Sequence, residues 1–195
     1  MPDADCNLVR NPLTGRDDEC GDTGVIKAIE GERFLALVDA LGHGRAAHAV
    51  AVLAEQYLER NYREPLVTIL EGLHACLRGT GGAVAAFCRL DLATGELRYT
   101  GMGNITVRVL GPRASRFVVR DGILGYAIPS PREESAMLLP GDVLVMHSDG
   151  IQEHFAAWEC DAMLTDPAET IAANLVRRFG KENDDASCIV LRYLV

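Results

Sequence analysis

The chain is predicted to be α+β, with two antiparallel sheets packed together and helices outside them. Three observations predict it. Short β-rich segments separated by turn signals make up most of the length, two apolar-striped helical segments interrupt them as a block, and a third helical segment precedes a last strand. Strands and helices are therefore segregated and do not alternate, which disfavours a doubly wound parallel sheet. At 195 residues, with 48% apolar and 24% charged residues, one domain spanning 1–195 is the simplest expectation, and a chain of that size buries a core without staples.

The elements follow in order. After a polar, turn-rich start through GRDDECGD, TGVIKAIEG and ERFLALVD read as two strands reversing at Glu30-Gly31. From Gly42 the period changes: Ala46, Val50, Leu53, Ala54, Tyr57 and Leu58 recur at spacings of three and four, one stripe of a helix. Glu64-Pro65 opens a second helix, with Leu66, Ile69, Leu70, Leu73 and Leu77 on its buried face. GAVAAFCRLD, GELRYTGMG, ITVRVLG and SRFVVRDG then have the rhythm of an antiparallel meander. ESAMLLPGD and VLVMHSDG add two strands joined at Pro140-Gly141-Asp142. One or more helices follow, the clearest being the amphipathic DPAETIAANLVRRFG, and ASCIVLRYLV closes the chain as a strand.

Composition excludes some functions. The net charge is -9, and there is no stripe of Lys and Arg of the kind that phosphate backbones select, so nucleic acid is not an expected partner. No apolar run approaches 18 residues and the first residues lack a basic-then-apolar leader, so no membrane partner is expected and the cytoplasm is the expected compartment. The six cysteines form no CxxC pair and read as small buried hydrophobes.

The acidic residues at strand ends do not fit a bland core. Asp39 ends FLALVD, Asp149 ends VLVMHSD, Asp184 and Asp185 precede ASCIVL, and Asp22 begins the first hairpin strand. Each alone is an ordinary turn or cap residue. Together, carboxylates at the ends of apolar strands can converge on one rim, and oxygen-only clusters suit Mg²⁺ or Mn²⁺. Two such ions at ~3.5–4 Å clamp a phosphoryl group and activate a water. That chemistry is metal-assisted hydrolysis of a phosphoester.

Gly42 and Gly44 bracket His43 at a helix start, and His43 reads as a partner of a ligand or water, as a plain helix-start residue, or, less readily, as a general acid for the leaving oxygen. His147, two residues before Asp149, reads as a supporting or a core histidine, and His48, His74 and His154 as structural. Arg10, Arg16 and Arg45 are the cations expected nearest a phosphate, and Gly101-Met102-Gly103-Asn104 reads as a bulge or a tight turn without chemistry.

Taken together, CGDTG, DALGHG, SDGI and NDDASCIVL resemble, in order and spacing, the acidic motifs of metal-dependent protein serine/threonine phosphatases of the type 2C superfamily, and more closely its bacterial sporulation stage II E branch. The resemblance spans residues 20–192. It implies a four-layer α-β-β-α sandwich with two central antiparallel sheets and a centre of two Mn²⁺ or Mg²⁺ ions. Within that centre it implies Asp39 as the bridging ligand, Asp149 and Asp184 as ligands of one ion, and Asp22 and the Ala40 carbonyl on the second ion. Asp185 would support the ligands. The family usually has glycine where Ala40 stands, so the second ion depends on Ala40 keeping a negative φ. Compactness gives the chain the look of the small stressosome phosphatases, which implies phosphorylated scaffold proteins of the RsbS and RsbR kind as partners. A phosphatase-like module that binds a signalling partner without catalysis is the alternative.

Overall fold

A computed structural model describes residues 3–111, 114–118, 120–152 and 164–194. The strands are β1 (Asp3–Asn11), β2 (Asp22–Ile29), β3 (Glu32–Ala40), β4 (Ala83–Asp91), β5 (Glu96–Met102), β6 (Thr106–Leu110), β7 (Ser115–Arg116), β8 (Glu134–Met137), β9 (Val143–His147) and β10 (Ala186–Leu194). The helices are α1 (Gly44–Asn61), α2 (Leu66–Cys76) and α3 (Ala168–Phe179). One antiparallel sheet has the order β2-β3-β4-β5-β8, the other β1-β10-β9-β6-β7. The α+β class and the α-β-β-α layering are as expected.

Strand alternation builds the layers. In β3, Phe34, Ala36, Val38 and Ala40 pack under α1 and α2 with Val50, Leu58, Ile69 and Leu73. The intervening Leu35 and Leu37 face the other sheet and meet Leu144, Met146, Ile189 and Leu191. In β9 and β10 the opposite parity, Val143, Val145, Cys188 and Val190, lies under Ile171, Ala172 and Leu175 of α3. Strands buried on both faces must be apolar at nearly every position, which is why FLALV and VLVM read as continuous runs. Successive residues at the end of such a strand still point to opposite layers, so Asp39 falls on the inter-sheet side and Ala40 on the helix side.

Four details differ from the sequence reading. The first residues form β1, paired along β10 from Asp3↔Leu194 to Asn11↔Ala186. It is an edge strand with only Ala4, Cys6 and Leu8 packed against the inter-sheet core, so half its residues stay polar and the run looks like a loop. The expected meander breaks after β5. β2 to β5 are consecutive neighbours, but β6 crosses to the other sheet and pairs with β9 and β7. Among the described residues of SRFVVRDG, Ser115–Arg116 pair as a strand. β8 and β9, expected as partners across Pro140-Gly141-Asp142, belong to different sheets. Cys20, Cys88 and Cys188 are buried and Cys6 and Cys76 partly buried, all as free thiols. Cys160, His154 and any helix over 153–163 lie outside the described residues. No helix is long and apolar enough to cross a membrane among the described residues.

Candidate metal centre

Asp39 reaches the site from the last turn of pleat in β3, and Asp22 stands directly opposite it in the β2–β3 register. The other sheet supplies the rest. Asp149 follows β9 in a tight turn closed by Ile151 N–H donating to the Ser148 carbonyl (3.2 Å), and Asp184 and Asp185 lead into β10. Asp39, Asp149 and Asp184 line one cleft of about 370 Å³, together with Gly42, Asn104 and Asp121. The carboxylates converge across the end of the sandwich, not along one sheet.

Each carboxylate is held. Asp22 is buried and accepts the Ser148 hydroxyl at 2.7 Å. The same Ser148 Oγ accepts the Ser187 N–H at 3.0 Å, so the two sheets are tied at this point. Asp185 Oδ1 accepts the Leu13 N–H and its Oδ2 the Gly21 N–H, both at 2.7 Å. Asp184 Oδ1 accepts the Asp185 N–H at 3.0 Å. Asp149 Oδ2 accepts Asn104 Nδ2–H at 2.8 Å. Gly150 makes the close approach possible, since a Cβ there would lie 1.8 Å from the Asp185 carbonyl oxygen.

Burial pushes the Asp39 carboxyl well above its ordinary value, and the charges of Asp22, Asp149, Asp184 and Asp185 push it further. Asp22 is raised as well, by burial first, opposed by the Ser187 and Ser148 hydroxyls and reinforced by Asp185 and Asp184. Asp184 is raised by burial and by Asp149. Like charges opposed across two strands disfavour the ionised pair unless a cation lies between them. Yet among the described residues no three His, Cys, Asp or Glu side chains form a closed ligand set. These carboxylates are near enough for the charge of one to be felt by the next. In kind, the all-oxygen donors fit a hard divalent cation.

Ala40 is the last residue of β3, and no non-glycine described here has a positive φ, so its carbonyl is offered without backbone strain. His43 caps α1 with an extended backbone between Gly42 (φ +91°) and Gly44 (φ +73°). It is exposed and stands outside the lining of the acidic cleft. His147 is buried, with Nδ1 2.9 Å from the Ser148 carbonyl oxygen, and shares a second cleft with Asp149. His48 Nδ1 lies 3.1 Å from the Cys20 carbonyl oxygen and His74 Nδ1 accepts the Gly125 N–H, both structural. Arg16 is engaged with Asp18 and Glu19, and Arg45 approaches Glu19 at 3.8 Å, so neither faces the carboxylates. Arg10 lines a cleft with Asp184. Sequence reasoning missed Asn104 and Asp121; the first sits in the GMGN turn that was read as a plain reversal.

The profile of the stage II sporulation protein E (SpoIIE) family matches residues 30–194. The chain belongs to the SpoIIE family. Its fold is that of the type 2C phosphatase superfamily. Phosphoserine phosphatase RsbX of Bacillus subtilis (strain 168) is 24% identical over 135 residues, 68% of this chain and 67% of RsbX. A solved chain from work on the bacterial stressosome, described as a modular system adapted to control secondary-messenger signalling, is 33% identical. It superposes with a TM-score of 0.89 and covers 97% of this chain and 100% of its own. A crystal structure of RsbX in complex with magnesium superposes with a TM-score of 0.84 at 20% identity, covering 97% of this chain and 95% of that one. These likenesses support a metal-dependent phosphatase activity in general terms.

Proposed function

We propose that the protein hydrolyses phosphoserine and phosphothreonine on phosphorylated stressosome scaffold proteins of the RsbS and RsbR kind, in the cytoplasm. The observation that carries the reading is the meeting of Asp39 from one sheet with Asp149 and Asp184 from the other in one cleft. Asp39, Asp149 and Asp184 would hold Mn²⁺ or Mg²⁺, with Asp22 and the Ala40 carbonyl serving a second ion. Such ions, when bound, lower the pKa of an attacking water and neutralise charge developing on the phosphoryl oxygens.

The chain's own residues set up that site. Asn104 holds Asp149 by a hydrogen bond to its Oδ2. Ser148 orients Asp22 from the opposite sheet. Asp185 ties the segment at Leu13 and Gly21 to the lead-in of β10 that carries Asp184, so the rim keeps its shape. For His43 the proposed role is proton donation to the leaving seryl oxygen; His43→Gln should then slow a phosphoserine peptide more than an aryl phosphate, whose leaving group needs no proton, and equal losses on the two exclude the role.

Turnover of a phosphoserine peptide and of an aryl phosphate with Mn²⁺, in wild type, Asp39→Asn and Asp149→Asn, tests the proposal. Each variant should lose more than the ~10–100-fold typical of removing a group that only supports a ligand. Equal rates in all three proteins, or none in the Mn²⁺-loaded wild type, would overturn it. The second reading, a non-catalytic binding module, is favoured by the lack of a closed ligand set among the described residues. Calorimetric titration separates the two, because such a module takes up no ion where the phosphatase takes up two.

A further inference from the structure

Beside the acidic cleft, the end of α3 returns to the Asp149 turn. Ile151 and Gly180 form an antiparallel bridge, and the Lys181 N–H donates to the Gly150 carbonyl at 2.8 Å. The backbone of Lys181 is therefore pinned next to Asp149 while its side chain is exposed. That residue is the shared wall of two clefts. One, of about 690 Å³, also holds Arg10, Arg177 and Asp184. The other, of about 480 Å³, also holds Arg116 and Asp149. Each cleft thus contains one carboxylate of the candidate centre. Lys181 makes no ion pair among the described residues. In a chain of net charge -9, Arg10, Arg116, Arg177 and Lys181 are gathered on the two flanks of the place where a phosphorylated residue would enter.

We infer that Lys181 is a specificity-determining residue that reads an acidic side chain next to the phosphorylated serine or threonine of a substrate polypeptide lying across these two clefts. The inference rests on the phosphatase reading above. A polypeptide extended past the centre in either direction passes Lys181, because that residue borders both clefts. Lys181 is absent from the lining of the acidic cleft but its charge reaches Asp184 beside it, so it stands at the border of the centre, where the side chain next to the phosphorylated residue passes.

The test uses phosphoserine peptides of one length with Glu, Ala or Lys at the flanking positions, on wild type, Lys181→Arg and Lys181→Glu. The read-out is the ratio of KM values for Lys-flanked and Glu-flanked peptides within each protein, which a change in folding or metal loading does not move. In the wild type and Lys181→Arg, KM for the Glu-flanked peptide should be lower by about two- to fivefold, the size of an exposed ion pair. The ratio should shrink with added salt and invert in Lys181→Glu. A wild-type ratio of one, or the same ratio in Lys181→Glu, overturns the inference. If neither peptide nor aryl phosphate is turned over, the phosphatase reading fails on its own. Fluorescence anisotropy of the same labelled peptides then decides the inference: tighter Glu-flanked binding that inverts in Lys181→Glu sustains it, and equal binding overturns it.

Discussion

At the scale of single residues, Asn104 is the group outside the carboxylates with the clearest link to the site. Its amide holds Asp149 Oδ2 at 2.8 Å and leaves the other oxygen for an ion. Asn104→Ala should weaken Mg²⁺ binding by ~10–100-fold, the cost of freeing a ligand from its orienting partner. Calorimetric titration against wild type reads it, and an unchanged Kd would show that Asp149 needs no such support. Gly150 tests the packing of the two acidic turns. A Cβ there must displace the Asp185 carbonyl from 1.8 Å, so Gly150→Ala should cost ~1–3 kcal/mol of stability by overpacking. A thermal melt with chelator present measures that loss apart from any change in ion binding. Both residues mark the limit of what the sequence disclosed. An aspartate ending an apolar strand is conspicuous because burial of a charge is costly, whereas Asn104 in GMGN carries no such cost and looks like any turn residue. Its role exists only because β6 crosses to the second sheet and sets the β5–β6 turn against the β9 turn.

At the scale of elements, strands buried on both faces were legible and edge strands were not. β3, β9 and β10 are nearly continuous apolar runs, and Asp39, Asp149 and Asp184 stand at or just beyond their ends. β1 alternates Ala4, Cys6 and Leu8 with Asp3, Asp5 and Asn7, a period too short and too polar to separate from a loop. Pairing between sheets was also hidden, because a turn such as Pro140-Gly141-Asp142 reverses the chain without stating which sheet receives the next strand. The unrecognised strand has a measurable part in α3. Asp5 Oδ2 accepts the Ala168 N–H at 2.8 Å, satisfying a free donor of a helix whose preceding residue is Pro167 and offers no side-chain cap. Asp5→Ala should therefore lower stability by ~0.5–2 kcal/mol, the range for losing a carboxylate cap. Urea denaturation at constant m-value checks it. No shift in midpoint would mean that water replaces the carboxylate without loss.

At the scale of the whole molecule, the acidic centre couples folding to pH and to cations. Asp22 and Asp39 face each other across β2 and β3, and both are raised above the ordinary aspartate value of 3.8, by burial first and then by neighbouring carboxylates, Asp185 and Asp184 at Asp22 and Asp22 foremost at Asp39. An unfolded chain releases those protons near 3.8, while the folded chain keeps them to higher pH. Above 3.8 the folded state thus binds more protons than the unfolded one, and the slope of unfolding free energy with pH is negative. The stability these two groups contribute is present below 3.8 and is lost as pH rises through their raised values. In chelator the melting temperature of the wild type should fall across that window relative to Asp39→Asn, which carries no charge at the position. Asp18 and Asp91 are lowered, by the Arg16 hydrogen bond and by the Thr94 backbone respectively, and shift the other way. They are common to both proteins, so the difference between the two melts isolates the centre. Mg²⁺ should reverse the trend, since an ion binds the deprotonated carboxylates and adds about 2.7 kcal/mol at a hundredfold excess over Kd. The wild type with Mg²⁺ should then gain over the chelated protein as pH rises, and Asp39→Asn should gain little. Parallel pH curves for the two proteins, with and without Mg²⁺, would mean that the carboxylates at the end of the sandwich neither repel one another nor serve an ion.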